Sequence, residues 1–328
     1  MKFLIAGYGS IGRRHLNNLL TLGYSDIVLY RTHQSTISDE AVKDIPVETD
    51  LAKALDHKPD AVVISNPTAK HFDVAIPAAK AGCHILFEKP ISHNFDGLED
   101  LKSALKSGGG KVLVGYQFRF HPGIRAVREI LIKKILGLPL SARCEWGEYL
   151  PGWHPWEDYR KSYSARKDLG GGVVLTLSHP IDYLRWLLGE VQSLWAISGN
   201  VSGLELQVED FAEVGFKFET GCVTSLHLDY YQRPPTHKFK IVCDEGVIKW
   251  NNENGNVIIL KEDGKIVEYF TLPNDFERNQ LFVEEMQHFI DVINGKTEPI
   301  CSLNDGEKAL VLSWAILNSS RHGQQITV

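Results

Sequence analysis

Gly7-Tyr8-Gly9-Ser10-Ile11-Gly12 follows a short apolar run, Phe3–Ala6, and opens a helical pattern of Ile11, Leu16, Leu19 and Leu20. The three glycines have separate tasks. Gly7 makes a tight turn, Gly9 allows close approach of a pyrophosphate, and Gly12 permits tight helix–strand packing. The helix N-terminus then offers unpaired N–H groups and a positive dipole to phosphates. This spacing reads as a dinucleotide loop, with a purely steric turn as the alternative. Such a loop calls for an Asp or Glu about 20 residues further on, to hold the ribose hydroxyls. Tyr30-Arg31-Thr32 stands there instead, with Arg31 19 positions after Gly12. A guanidinium suits a 2′-phosphate, and the Thr32 hydroxyl adds a donor. NADP(H) is therefore favoured and NAD(H) possible; a solvated or stacking Arg31 is the alternative.

A second group of residues could hold a substrate. Trp146, Tyr149, Trp153, Trp156, Tyr159 and Tyr163 fall within 18 residues, interleaved with His154, Glu157, Asp158, Arg160 and Lys161. Flat aromatic faces with polar neighbours suit a sugar ring, which is apolar on its faces and polar at its rim. An interface belt or ordinary packing is the other reading. Arg160 and the run Arg166-Lys167 put cations beside the aromatics. They admit an anionic substrate such as a uronate, a sialic-acid-like acid or a nucleotide-linked sugar.

The elements that must position these residues change character along the chain. Up to about residue 120, apolar runs (Phe3–Ala6, Ile27–Tyr30, Ala61–Ile64, His84–Phe87, Lys111–Tyr116) alternate with amphipathic stretches such as Leu98, Leu101, Leu105. Continuous apolar strands between helices predict a parallel sheet covered on both faces. A helix is predicted from near Pro122 to Ile135. From about 140 to 271, alternating runs such as 223–230 are punctuated by Glu219-Thr220-Gly221, Asp244-Glu245-Gly246, Glu253-Asn254-Gly255 and Glu262-Asp263-Gly264. That predicts hairpins in an antiparallel or mixed sheet. Phe282, Met286, Phe289 and Ile293 mark one more helix, stopped by Asn294-Gly295. The expected architecture is α/β: a Rossmann doubly wound parallel sheet over 1–120, then an α+β substrate-binding and oligomerisation domain over 121–328.

Composition excludes several classes. With 328 residues and 43% hydrophobic, the chain can bury two ordinary cores. Its formal charge of −6 lacks the electrostatic footprint of a nucleic-acid binder. Five scattered cysteines imply neither a disulfide framework nor a metal site. The apolar start is too short for a signal-peptide core, and no stretch approaches the roughly 20 apolar residues of a membrane span. A cytoplasmic protein is expected, with neither membrane nor nucleic-acid partners.

Further motifs carry a resemblance. Ser65-Asn66-Pro67-Thr68 with His71, Glu88-Lys89-Pro90, Gly115-Tyr116-Gln117-Phe118-Arg119, and Gly170-Gly171-Gly172 followed by His179-Pro180-Ile181-Asp182 stand in order behind the glycine loop. Together they resemble the glucose–fructose oxidoreductase / inositol dehydrogenase (Gfo/Idh/MocA) family over nearly the whole chain. The resemblance implies oxidation or reduction of a sugar or cyclitol carbinol carbon, and a homodimer or homotetramer. With the glycine loop and Arg31-Thr32 read above, the expected cofactor contacts are Gly7, Gly9, Ser10, Ile11, Gly12, Arg31, Thr32, Ser65, Asn66, Pro67, His71, Glu88, Lys89 and Gln117. The expected substrate contacts are Lys89, Arg119 and His179, with Trp153, Trp156, Tyr159 and Tyr163 from the aromatic segment and Thr176 as a weaker polar contact. Lys89 and His179 are the expected catalytic pair.

Physical chemistry agrees for Lys89. It lies just past a strand end, where open α/β sheets place ligands, and an ammonium there can stabilise an alkoxide and deliver a proton. One departure from the family stands out. The carboxylate expected before His179 is missing, with Leu175 and Thr176 in its slots. Two other functions stay open on sequence alone. One is a non-redox epimerase, lyase or glycosidase that recycles a tightly bound NAD; the other is a non-catalytic dinucleotide-binding protein.

Overall fold

The structure is a computed structural model that describes residues 1–32, 42 and 44–328, residue 268 by its backbone alone. Six parallel strands build the first sheet: β1 (Phe3–Ala6), β2 (Ile27–Tyr30), β3 (Val47–Glu48), β4 (Ala61–Ile64), β5 (His84–Glu88) and β6 (Val112–Gly115). Their order is β3-β2-β1-β4-β5-β6, with every pair parallel. Strands β1, β4 and β6 are buried at every residue, because helices cover both faces and no strand face is left for water. Those helices are α1 (Ser10–Thr21), α2 (Leu51–Asp56), α3 (His71–Lys80) and α4 (Leu98–Gly108). The five apolar runs of the sequence become strands almost to the residue.

The second sheet has nine strands: β7 (Pro139–Gly147), β8 (Val191–Gly199), β9 (Phe211–Phe218), β10 (Val223–Asp229), β11 (Thr236–Cys243), β12 (Gly246–Asn251), β13 (Val257–Lys261), β14 (Ile266–Phe270) and β15 (Ile326–Thr327). Their order is β14-β13-β12-β11-β7-β10-β9-β8-β15, antiparallel except for β7 beside β10. The four glycine-bearing turns join β9 to β10 and each successive pair from β11 to β14. Along β10, Thr224, Leu226 and Leu228 are buried while Val223 and Ser225 are exposed, the alternation of a sheet covered on one face. Helices α5 (Pro122–Ile132), α6 (Val173–Thr176) and α7 (His179–Leu188) belong with this sheet, and α8 (Asn279–Ile293) and α9 (Leu303–His322) lie between β14 and β15 in the chain. The predicted helix from Pro122 stops three residues short of Ile135, at Lys133-Lys134, where Lys134 turns to positive φ.

The chain divides differently from the expected 1–120 and 121–328. One compact unit holds Met1–Gln117 together with Arg278–Glu307; the other holds Phe118–Glu277 and Lys308–Val328. The apolar stripe of α8 predicted a buried face but could not say which core it would join. Asn279 Nδ2 donates to Asn18 Oδ1 of α1 at 2.9 Å, and the Lys111 ammonium donates to the Val292 carbonyl at 2.6 Å, so α8 packs with the first unit. The five cysteines are all buried and none forms a disulfide.

Candidate active site

Because its strands are parallel, the first unit sends every loop that follows a strand out at one edge of the sheet. Gly7–Gly12 after β1, Arg31 after β2, Ser65–Pro67 after β4, Lys89 after β5 and Gln117 after β6 all emerge there. The strand order reverses between β1 and β4, which is where such sheets hold ligands. The glycine loop is built as its spacing requires. Gly7 has φ +98° and a Cβ on it would lie 2.6 Å from the Asn66 nitrogen; a Cβ on Gly12 would lie 2.1 Å from the Gly7 oxygen. Gly9 differs, because nothing lies within 4 Å of where a Cβ on it would stand. It caps α1 with no side-chain hydrogen bond, which leaves the N–H groups of Ser10 and Ile11 for a ligand. The absence of a side chain at Gly9 is not needed by the protein's own packing. A Gly9→Ala variant should therefore keep its melting temperature while losing about tenfold or more in NADH affinity, since one crowded phosphate contact is worth at least ~1.4 kcal/mol. Differential scanning fluorimetry with an NADH titration checks both halves of that expectation.

Several residues expected on the cofactor support the loop from behind. Ser65 Oγ donates to the Gly7 carbonyl at 2.9 Å, tying the end of β4 to the loop. His71 is buried and its Nε2 meets the Asn66 carbonyl at 3.0 Å; burial lowers its pKa to about 4, so the ring is neutral and donates. Asn66 Nδ2 donates to the Lys70 carbonyl. Glu88 also turns inward: Oε1 meets His15 Nε2 at 2.8 Å, and Oε2 accepts the Lys89 N–H at 3.3 Å. It fixes the backbone that presents Lys89. Arg31 is 4% exposed, with its guanidinium 5.3 Å from the centre of the Tyr8 ring, so it is neither solvated nor remote from the loop. Thr32 beside it is exposed.

The second unit gathers the remaining candidates. His179 opens α7, buried, its ring 5.1 Å from Phe118 and stacked at 5.6 Å on Trp146. Trp146 stacks in turn on His237 at 4.1 Å, and Tyr183 Oη bridges His237 Nε2 at 3.1 Å and Cys144 Sγ at 3.0 Å. This buried aromatic and polar cluster was not legible in the sequence. Thr176 ends α6, one turn before His179, and is buried. Trp156 is 76% exposed and Tyr163 is at the surface. Trp153 and Tyr159 are half-buried, the first edge-on to Tyr230 at 5.7 Å, the second donating to the Leu204 carbonyl.

Residues 1–116 match the family model described as an oxidoreductase family with an NAD-binding Rossmann fold, and residues 124–249 match the Gfo/Idh/MocA C-terminal domain. The chain belongs to the Gfo/Idh/MocA family. It is an enzyme of the nicotinamide-dependent dehydrogenase and reductase class. Among curated relatives it is 25% identical to 1,5-anhydro-D-fructose reductase of Ensifer adhaerens, over 81% of this chain and 78% of that one. It is 24% identical to myo-inositol 2-dehydrogenase of Thermotoga maritima, over 97% and 96%. Among solved structures, the WlbA dehydrogenase from Bordetella pertussis in complex with NADH and UDP-GlcNAcA superposes with TM-score 0.83 at 20% identity, covering 100% of this chain and 98% of that one.

The residues present fit the family's nicotinamide dinucleotide: an uncapped helix start, an open cradle at Gly9, and Arg31 against the same loop. Arg119, expected on the substrate, is elsewhere engaged. Its Nε and Nη2 donate to the two oxygens of Asp182 at 2.9 and 2.7 Å, and both side chains are about 1% exposed. Trp146 likewise belongs to the core and not to an exposed aromatic face. Of the cations beside the aromatics, Arg160 pairs with Asp158 and Arg166 with Asp168. That leaves an anionic substrate with weaker support than the sequence suggested. A buried carboxyl from outside this segment stands beside α6. Glu209, just before β9, accepts the Val174 N–H through Oε1 at 3.2 Å and lies where a Cβ on Gly172 would stand. Burial raises its carboxyl to about 7. No local sequence pattern could have found it, since 35 residues separate it from Val174.

Proposed function

We propose that this family member transfers a hydride between a nicotinamide cofactor and a carbinol or keto carbon of a sugar or sugar derivative. Lys89 gives or takes the proton. The observation that carries the reading is the position of Lys89 at the carboxyl end of β5, on the same sheet edge as the dinucleotide loop. Oxidation of a carbinol removes a hydride from carbon and a proton from oxygen. A bound nicotinamide would supply the hydride acceptor; the Lys89 amine takes the proton, and in reverse its ammonium delivers it to the alkoxide. Glu88 holds the Lys89 amide in place, and Ser65 and His71 hold the loops on either side. His179 and Thr176 hold or relay to the substrate's hydroxyls, while Trp153, Trp156, Tyr159 and Tyr163 offer ring faces. The experiment is a panel of sugars and keto-sugars followed by nicotinamide absorbance. Absence of turnover on every neutral and acidic sugar tested, with cofactor bound, would overturn the assignment.

For cofactor choice the reading is NADP(H), with Arg31 donating to the 2′-phosphate and Thr32 assisting. A hydrogen bond to a charged group contributes about 1.5–3 kcal/mol, or roughly ten- to hundred-fold in affinity. Arg31→Ala should erase most of that preference by weakening NADPH binding, with NADH affinity little altered. Equal wild-type dissociation constants for the two cofactors would assign Arg31 to stacking on Tyr8 and adenine instead. We also propose a homo-oligomer formed through the second unit's sheet, where Trp195, Ile197 and Val223 stand 45–51% exposed. A monomer by light scattering would refute it.

A further inference from the structure

Glu285 has no role in the account above, and its surroundings are unusual for a carboxyl. It lies on α8 within the first unit, wholly buried, and neither oxygen meets a hydrogen-bond partner among the described residues. Both oxygens stand 3.6 Å from where a Cβ on Gly115, the last residue of β6, would be. The side chain therefore faces the strand ends that carry Lys89 and Gln117. Glu88 stands in register beside Gly115 on the neighbouring strand β5, with His15 Nε2 on one oxygen and the Lys89 N–H on the other. Arg14, Arg278 and His71 are further charged and titratable groups near this pocket. Arg14 lies on α1 beside His15, with its guanidinium 4.4 Å from the centre of the Phe282 ring. Arg278, just before α8, is close enough to repel Arg14, and the neutral His71 lies within reach of Glu88.

A buried carboxyl that meets no donor keeps its proton. Glu88 has donors on both oxygens, whereas Glu285 has none among the described residues. Burial, reinforced by the charge of Glu88, holds Glu285 well above the usual carboxylate range. We propose that Glu285 carries a proton, and that its neutrality lets Glu88 stay fixed on the Lys89 amide. Glu285 is thus a positioning residue for the strand end that presents Lys89. Its consequence for turnover rests on the role given to Lys89; the proton on Glu285 and its effect on cofactor binding do not.

The direction of the pH effect follows from linkage. A carboxyl that binds its proton more tightly when folded contributes stability fully below the unfolded value, about 4.3, and loses it as pH rises. Wild type should therefore lose stability relative to Glu285→Gln as pH climbs above about 4.3. When Glu285 finally ionises, the second negative charge drives Glu88 off the Lys89 amide. NADH affinity in wild type should then decline toward about one decade per pH unit, whereas Glu285→Gln, a neutral isostere, keeps the neutral-pH affinity and loses this alkaline decline. An infrared difference spectrum at pH 7, wild type minus Glu285→Gln, should show the carbonyl band of a protonated carboxyl. Glu285→Met, of similar volume, serves if the glutamine variant does not fold, and should behave in the same way. A carboxylate band at pH 7, or parallel pH curves for wild type and variant, would overturn the proposal. If Lys89→Met retained full turnover while the decline still vanished in Glu285→Gln, the role of Lys89 would fail and the proton on Glu285 would stand.

Discussion

Replacing Lys89 with Met is expected to lower hydride transfer by about 10²–10⁴-fold, the usual contribution of a general acid or base, with NADH affinity nearly unchanged. Met keeps the length and most of the apolar stem but has no proton to give. The backbone N–H of residue 89 survives the change, so its hydrogen bond to Glu88 Oε2 at 3.3 Å survives too, and the strand end keeps its place. The loop that would cradle the pyrophosphate depends on Gly7, Gly9, Gly12 and the Ser65 hydroxyl. Rate and cofactor binding should separate cleanly. Stopped-flow nicotinamide absorbance on whichever sugar the panel identifies measures the first, and fluorescence titration the second. A rate within twofold of wild type would remove Lys89 from the chemistry. A matching loss of NADH affinity would make it a cofactor-holding residue instead.

The strands of the first unit were legible because residues buried on both faces leave a continuous apolar run, and Phe3–Ala6, Ile27–Tyr30 and Ala61–Ile64 agree with the structure residue for residue. The hairpins of the second sheet were legible for a different reason. Each turn places a glycine where the chain needs it, as Gly221 and Gly264 show with φ +89° and +78°. Long-range partnership was not legible. Nothing local to Phe282–Ile293 says that this helix returns to the first unit. Nothing near Glu88 says that its carboxylate will face His15, 73 residues earlier. Aromatic residues were the least informative, since Trp146 and Trp156, ten positions apart in one cluster, end up 5% and 76% exposed. A ring that can stack on a sugar can equally stack on a buried histidine, and composition does not separate the two. The glycine loop escaped this ambiguity because its function depends on backbone geometry, which spacing does encode.

Arg119 shows the same ambiguity for charge, and its buried partner leads to the largest expected effect on stability. A guanidinium in a family motif invites a substrate contact, but its partner Asp182 lies 63 residues away on α7, and the two form a buried bidentate pair. Trp186 adds a face 5.5 Å from the Arg119 guanidinium, and the Arg119 carbonyl accepts from Arg125 Nε at 3.0 Å. The pair thus pins the segment before α5 to α7, the helix that His179 opens. Removing one member of such a pair leaves an uncompensated charge in a dry interior, at a cost of about 3–5 kcal/mol. Arg119→Met should therefore lower the melting temperature by roughly 6–20 °C, taking about 2–4 °C per kcal/mol for a unit of this size. Asp182→Asn should fall in the same range. The double variant Arg119→Met/Asp182→Leu removes both charges and fills the space with apolar atoms, so it should recover most of the loss, because a matched apolar pair is often as stable as a buried ion pair. Thermal unfolding of the three variants beside wild type gives the coupling directly. A substrate-binding Arg119 would give the opposite pattern: a raised KM in Arg119→Met, a melting temperature close to wild type, and no recovery on adding the second substitution.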